Sequence, residues 1–184
     1  MPNTGRLLGS VEFAVLGLLR LAPRHGYELA AQLQPEAELG DALRVDLSDL
    51  YAALKRLERR GYVTSHVEAV GTRPPRRVYR LTEGGEIEFR SWLTEPVRHN
   101  REIRIDFVLK LYFLRQLAPE LVPDLLGRQL AAALDLLARF QREARDFSEG
   151  SFAWILRQMR LSAVQGTISW LEEVQTALRS QHSA

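Results

Sequence analysis

The chain has 184 residues, 46% of them hydrophobic and 26% charged, with 25 basic and 23 acidic residues and no cysteine. That much apolar material excludes a disordered chain, and the lack of cysteine excludes disulfides and thiolate metal sites. The formal net charge is +2 and each half of the chain carries one unit of it, so any strongly charged surface must be local.

The apolar stretch from Val11 to Leu21 contains Glu12 and Arg20 and has no small-residue cleavage site, which predicts a soluble helix rather than a signal peptide. Ser10 is placed to cap it, Val11, Val15, Leu18 and Leu19 lie on or near one face, and Pro23 stops it. No 18-residue uncharged apolar run follows, so no membrane span is expected and the chain is assigned to a reducing, cytoplasmic setting. His25-Gly26-Tyr27-Glu28-Leu29 opens a short second helix with Leu29 and Leu33 inward and Pro35 as its end. An acidic loop, Glu36 to Asp41, leads to a third helix. Asp46 is its expected N-cap, with Asp49 three residues on, and Leu47, Leu50, Leu54 and Leu57 form a buried stripe at spacings of three and four. Gly61 supplies the C-terminal stop.

After Gly61 the period changes. Residues 62–67 and 77–81 are β-prone and partly alternating, and Gly71 and Pro74-Pro75 mark an irregular loop between them. Thr82 then caps a helix carrying Ile87, Phe89, Trp92 and Leu93. From Asp46 to Arg80 the chain holds eight basic and four acidic residues, a net charge of +4 on one helix and one adjacent loop. Three helices followed by a β-ribbon with a basic tip describe a winged helix-turn-helix, expected over residues 1–95. In that motif the third helix enters the major groove, about 12 Å wide, and the wing touches the flanking backbone. The candidate DNA-binding residues are Ser48, Tyr51, Ala52, Lys55, Arg56 and Arg59 on the helix and Arg73, Arg76 and Arg77 in the wing. A basic helical face is by itself more often an ordinary solvated surface; the basic loop beside two strands is what favours DNA.

Residues 10–93 resemble the PadR family of bacterial transcriptional regulators. The matching pieces are Val15-Leu16-Gly17-Leu18-Leu19, His25-Gly26-Tyr27-Glu28-Leu29, the run from Leu50-Tyr51 through Lys55-Arg56-Leu57-Glu58 to Gly61, and Arg76-Arg77-Val78-Tyr79-Arg80-Leu81-Thr82-Glu83-Gly84-Gly85. They stand in the family's order and at its spacing. The resemblance implies a homodimeric repressor or activator that binds double-stranded DNA at a partly palindromic operator, often in response to a small aromatic or amphipathic effector. The chain departs from the family in having Ser48-Asp49 before the Leu-Tyr pair and an extra proline in Arg73-Pro74-Pro75, which stiffens the wing tip.

The remainder, 96–184, reads as all-helical, so the fold class is mainly α: a winged helix-turn-helix domain followed by a coiled-coil-like dimerisation domain. Residues 101–117 predict one helix, and Pro119 and Pro123 permit another to start and run to about Asp146. In it Leu126, Leu130, Ala133, Leu137, Phe140, Ala144 and Phe147 recur every four and three residues, the rhythm of a coiled-coil seam. Ser148-Glu149-Gly150 breaks it, and Leu161, Val164, Ile168, Leu171, Val174 and Leu178 resume the rhythm in a last helix. The seam lies either between two subunits or inside one helical hairpin, and Leu125, Leu134, Leu136, Phe152, Trp154 and Ile155 add apolar positions off it. Arg104 to Phe113 and Trp170-Leu171-Glu172-Glu173 resemble the first and last helices of the longer PadR subfamily, whose helical C-terminal domain dimerises. Trp92, Trp154 and Trp170 are candidates to line an effector site, or else core residues.

No cofactor is expected. His25, His66, His99 and His182 lack ligand spacing, and no metalloprotease, P-loop or nucleophile-elbow motif occurs, which argues against an enzyme. The rival reading is a winged-helix protein-interaction adaptor without specific DNA binding.

Overall fold

The computed structural model describes residues 8–68, 76–144 and 147–181, which form two compact units. The first takes the chain up to Thr94 together with Val108–Leu117; the second takes Glu95–Phe107 and the chain from Ala118 onward. The stretch 96–184 therefore does not stay in one unit: one of its helices joins the first.

In the first unit α1 spans Ser10–Leu21. Ser10 is its first residue rather than its cap. Gly9 takes the cap position, and Glu12 reaches back so that its Oε2 accepts the Gly9 N–H at 3.2 Å, which satisfies a donor the helix itself cannot. The helix is buried from Glu12 to Leu19, because it packs against α4, α5, α6 and β3 and not along a single face. Arg24–His25 form a short strand, β1, and α2 follows over Gly26–Gln32, with Leu29 and Leu33 buried as expected. The Glu28 carboxylate closes the start of α2 by accepting the His25 N–H at 2.7 Å.

The acidic stretch read as a loop holds a five-residue helix, α3, Glu38–Ala42. It buries Leu39, and a Cβ at Gly40 would lie 1.7 Å from the Gln34 carbonyl oxygen, so only glycine fits where the chain doubles back. Next comes α4, Leu47–Arg59, which buries Leu50, Ala53, Leu54 and Leu57. Leu47 departs from the expected stripe: at the first helical position it is 56% exposed, in register with the core but past its edge. Asp46 stands at the cap in extended backbone, yet its carboxylate makes no capping hydrogen bond. The other end follows expectation. Gly61 adopts φ +72°, its N–H reaches the Glu58 carbonyl and the Tyr62 N–H reaches that of Leu57, the paired bonds of a glycine-terminated helix.

The strands β2, Val63–Glu68, and β3, Arg76–Leu81, pair antiparallel from Val63 opposite Leu81 to Glu68 opposite Arg76. β1 adds to the other edge of β3, with Arg24 opposite Tyr79, giving the order β1-β3-β2. Thr82 caps α5, Glu83–Thr94, by accepting the Gly85 N–H at 3.1 Å while donating to the Gly61 carbonyl at 2.7 Å. Phe89, Trp92 and Leu93 are buried, but Ile87 is not; two positions from both Gly85 and Phe89, it points the opposite way.

The expected helix 101–117 is three pieces: a 3₁₀ turn at Asn100–Glu102, a π turn at Ile103–Phe107, and α6, Val108–Leu117. α6 completes the core of the first unit. Its Leu109, Lys110, Phe113 and Leu114 are fully buried. Phe113 lies against Gly17 of α1, where a Cβ would come within 2.5 Å of the ring, and edge-on to Phe89 at 5.5 Å. Trp92 stacks on Phe13 at 4.4 Å, and the Lys110 ammonium donates to the Trp92 carbonyl.

The second unit is built on α7, Val122–Ala144, and α8, Phe152–Gln181, which pack against each other. A 3₁₀ turn, Pro119–Leu121, leads into α7, and Ser151 caps α8 by accepting the Trp154 N–H at 3.2 Å. Leu126, Ala133, Val164, Ile168 and Leu171 are buried within the single chain, so this part of the heptad rhythm is an intrachain seam. Leu130, Leu137, Phe140 and Leu161 are half-buried. Phe140 also receives the Arg157 guanidinium, 4.9 Å from its ring centroid, while Arg157 pairs with Glu143 at 2.8 Å. Ala144 ends α7. The buried Gln129 holds Val97 from both sides, accepting its N–H at 2.7 Å and donating to its carbonyl at 3.3 Å. Among the described residues no helix is long and apolar enough to cross a membrane.

Candidate nucleic-acid interface

The side of α4 turned away from Leu50, Leu54 and Leu57 exposes Ser48, Tyr51, Ala52, Lys55 and Arg59. Their spacings of three and four set them along one side of the helix, which offers hydroxyl, ammonium and guanidinium donors beside the small methyl of Ala52. Asp49 is exposed as well and forms no capping box. Tyr51 leans over the start of α2: a Cβ on Gly26 would meet its hydroxyl at 2.9 Å, so glycine there leaves the ring its place.

Arg56 does not stand free with the others. It is half-buried, and both its Nε and Nη2 reach Oε1 of Glu12 at 2.6 Å. A helical-face reading of α4 alone counts Arg56 among the outward cations. Its partner lies 44 positions earlier in the sequence, on α1.

Arg76 and Arg77 begin β3 and are exposed. Arg76 donates to the Tyr27 hydroxyl at 3.1 Å, with its guanidinium carbon 5.2 Å from the centroid of that ring. Tyr27 in turn stacks on His25 at 5.4 Å. Arg77 pairs with Glu58 of α4 at 3.6 Å, and its carbonyl lies 3.3 Å from His25 Nδ1. Glu58 also accepts the Ser65 hydroxyl, so one carboxylate ties α4 to both strands of the ribbon. Burial, together with the Glu58 carboxylate, raises the Tyr79 phenol above its usual pKa of 10.0, so Tyr79 adds no charge to the base of the wing. Arg73 lies outside the described residues.

The structure brings Tyr27 into this surface, which the sequence reading left out. It is 52% exposed beside Arg76, and Tyr51 is 48% exposed. The available signal was its place two residues before Leu29, off the inward face of α2. The three tryptophans do not all belong to one unit. Trp92 belongs to the core of the first unit, whereas Trp154 and Trp170 belong to the second, where Trp170 meets Phe107 edge-on at 6.1 Å.

Comparison with known proteins finds relatives of this chain. Residues 15–91 match the Transcriptional regulator PadR-like family, and residues 103–179 match the family described as Virulence activator alpha C-term. The chain is 29% identical over 174 residues to the Negative transcriptional regulator PadR of Bacillus subtilis (strain 168), covering 89% of this chain and 94% of that protein. Among solved structures, Bacillus subtilis PadR in complex with operator DNA is 25% identical, with 94% and 99% of the two chains covered and a TM-score of 0.48. The same protein in complex with p-coumaric acid is 25% identical, with 93% and 99% covered and a TM-score of 0.43. Through residues 15–91 this chain is similar to the PadR-like family of transcriptional regulators.

Proposed function

We propose that this protein is a sequence-specific DNA-binding transcriptional regulator that acts in the bacterial cytoplasm as a homodimeric repressor on a partly palindromic operator. One observation carries the reading: the exposed stripe Ser48, Tyr51, Ala52, Lys55 and Arg59 of α4 lies in the same unit as a ribbon whose Arg76 and Arg77 are exposed. α4 enters the major groove and reads base edges, while the wing meets phosphate and sugar. Arg73 extends the basic wing in sequence, and Tyr27 adds a hydroxyl beside Arg76. Repression is supported by the 29% identical Bacillus subtilis relative, a negative regulator. Release by a small aromatic or amphipathic effector is part of the reading, with Trp154 and Trp170 of the second unit as the residues to probe by fluorescence.

The test is enrichment of duplexes from a random-sequence pool, followed by titration of the enriched duplex across a range of salt. A DNA reader enriches a defined sequence and loses affinity steeply with salt, with a log–log slope of about −0.9 per phosphate charge neutralised. An adaptor enriches nothing and shows a flat slope. Replacing Arg76 and Arg77 together with alanine is expected to weaken binding to enriched and random duplexes alike and to lower the slope by up to about one unit per contact. A loss confined to the enriched duplex would move these residues from backbone positioning to base reading.

We place the intersubunit contact on the second unit. Phe152, Ile155 and Met159 are 80%, 52% and 61% exposed at spacings of three and four along α8, and Leu134 of α7 is exposed too. The half-buried Leu130, Leu137, Phe140 and Leu161 border the intrachain seam that Leu126, Ile168 and Leu171 fill. A second copy of the chain covers the exposed set. Ile155→Asp combined with Met159→Asp is expected to give a monomer in sedimentation at micromolar concentration with helicity retained, because a charge buried without a partner costs several kcal/mol, on the order of a whole interface contact cluster. A variant that still sediments as a dimer places the contact elsewhere, and Leu137→Asp is then the variant to measure.

A further inference from the structure

We infer that Arg56 is a positioning residue, locked by Glu12 so that α4 presents Lys55 and its neighbours in one fixed orientation. The inference rests on the DNA-binding reading above and deepens it. Glu12 sits in the first turn of α1 and is only 8% exposed. Its two oxygens are both committed: Oε2 accepts the Gly9 N–H at 3.2 Å, and Oε1 accepts Nε and Nη2 of Arg56 at 2.6 Å. A carboxylate with so little water around it is costly to leave without its cation, which keeps the guanidinium from swinging out to a phosphate. Carboxylate and guanidinium also cancel, so Arg56 brings no net charge to the surface that meets DNA.

The place of Arg56 on α4 gives the pair its leverage. It lies at the border between the buried stripe of Leu50, Ala53 and Leu57 and the exposed stripe of Ser48, Ala52 and Lys55. Leucine contacts alone tolerate small rotations and slides of a helix, whereas two guanidinium nitrogens held on one buried carboxylate oxygen add a charge-assisted tie between α4 and α1. Holding α4 at this border fixes the angle at which the adjacent Lys55 leaves the helix. A small error in that angle separates a side chain from a base edge but leaves general attraction to phosphate intact.

The experiment compares wild type, Glu12→Gln, Arg56→Gln and the double variant on two probes, the duplex enriched by the wild type from a random pool and a scrambled duplex of the same composition. Binding is measured across salt, well below the melting temperature of each variant. Glu12→Gln and Arg56→Gln are each expected to weaken the enriched duplex about tenfold. The double variant, which keeps the pair's net charge of zero, should be no weaker than either single and should leave the scrambled duplex and the salt slope unchanged. If a single variant does not fold, the neutral Gln–Gln double decides by the same criteria. The inference is overturned if Arg56→Gln lowers the salt slope by about one unit while Glu12→Gln leaves or raises affinity, since Arg56 then touches phosphate itself. It is equally overturned if the variants melt earlier but bind the enriched duplex with native affinity, which is a purely structural role. A wild type that enriches no sequence overturns the DNA reading as well, an outcome distinct from either.

Discussion

A chain that ends at Thr94 is expected to have no stable fold, although it contains every helix and strand of the winged helix. The missing piece is α6. Leu109, Phe113 and Leu114 are fully buried in the first unit, and burying side chains of this size is worth about 1.5–3 kcal/mol each. Their sum is comparable to the whole stability of a small domain, roughly 5–15 kcal/mol. Truncation also bares the Gly17 face of α1 and one edge of Phe89, both covered by Phe113. In the intact chain Phe113→Ala should cost about 3–5 kcal/mol, because Gly17 has no side chain with which to fill the space. Circular dichroism and thermal melting of both proteins check this. A truncated chain that melts cooperatively at the temperature of the full protein would show that α6 is dispensable.

Local signals were legible, and those that depend on distant partners were not. The end of α4 at Gly61, the cap at Thr82 and the strand pair β2-β3 each follow from a few adjacent residues, and each stands where the pattern put it. α3 and β1 went unread because five residues and two residues are too short to display a period. The heptad rhythm of α7 and α8 identified apolar positions, but a periodic stripe is the same whether its partner is the next helix or another subunit. Only burial within one chain assigns Leu126 and Leu171 to the former. Arg56 shows the same limit in the candidate site. Its charge and helical position match those of its neighbours, and the carboxylate that claims it is contributed by a helix that reads as purely hydrophobic except for Glu12 and Arg20.

The decisive variant for DNA reading is therefore Lys55→Glu in place of any change at Arg56. Lys55 is exposed on the stripe it shares with Ser48 and Ala52, whereas Arg56 is engaged with Glu12. A surface substitution of this kind should change stability by no more than about 0.5 kcal/mol, so a loss of binding cannot be blamed on unfolding. Losing a base-edge contact costs about 1–3 kcal/mol, and placing a carboxylate among phosphates adds repulsion in the same direction. In the proposed dimer the change occurs in both half-sites at once. Binding to the enriched duplex should thus fall by about a hundredfold or more. Raising the salt should narrow the gap between variant and wild type, since screening weakens both the lost attraction and the new repulsion. Anisotropy titrations at two salt concentrations, with a melting curve for each protein, provide the measurement. If Lys55→Glu melts like wild type and binds the enriched duplex with native affinity, α4 is not the reading helix, and the wing with Tyr27 and Arg76 becomes the surface to test.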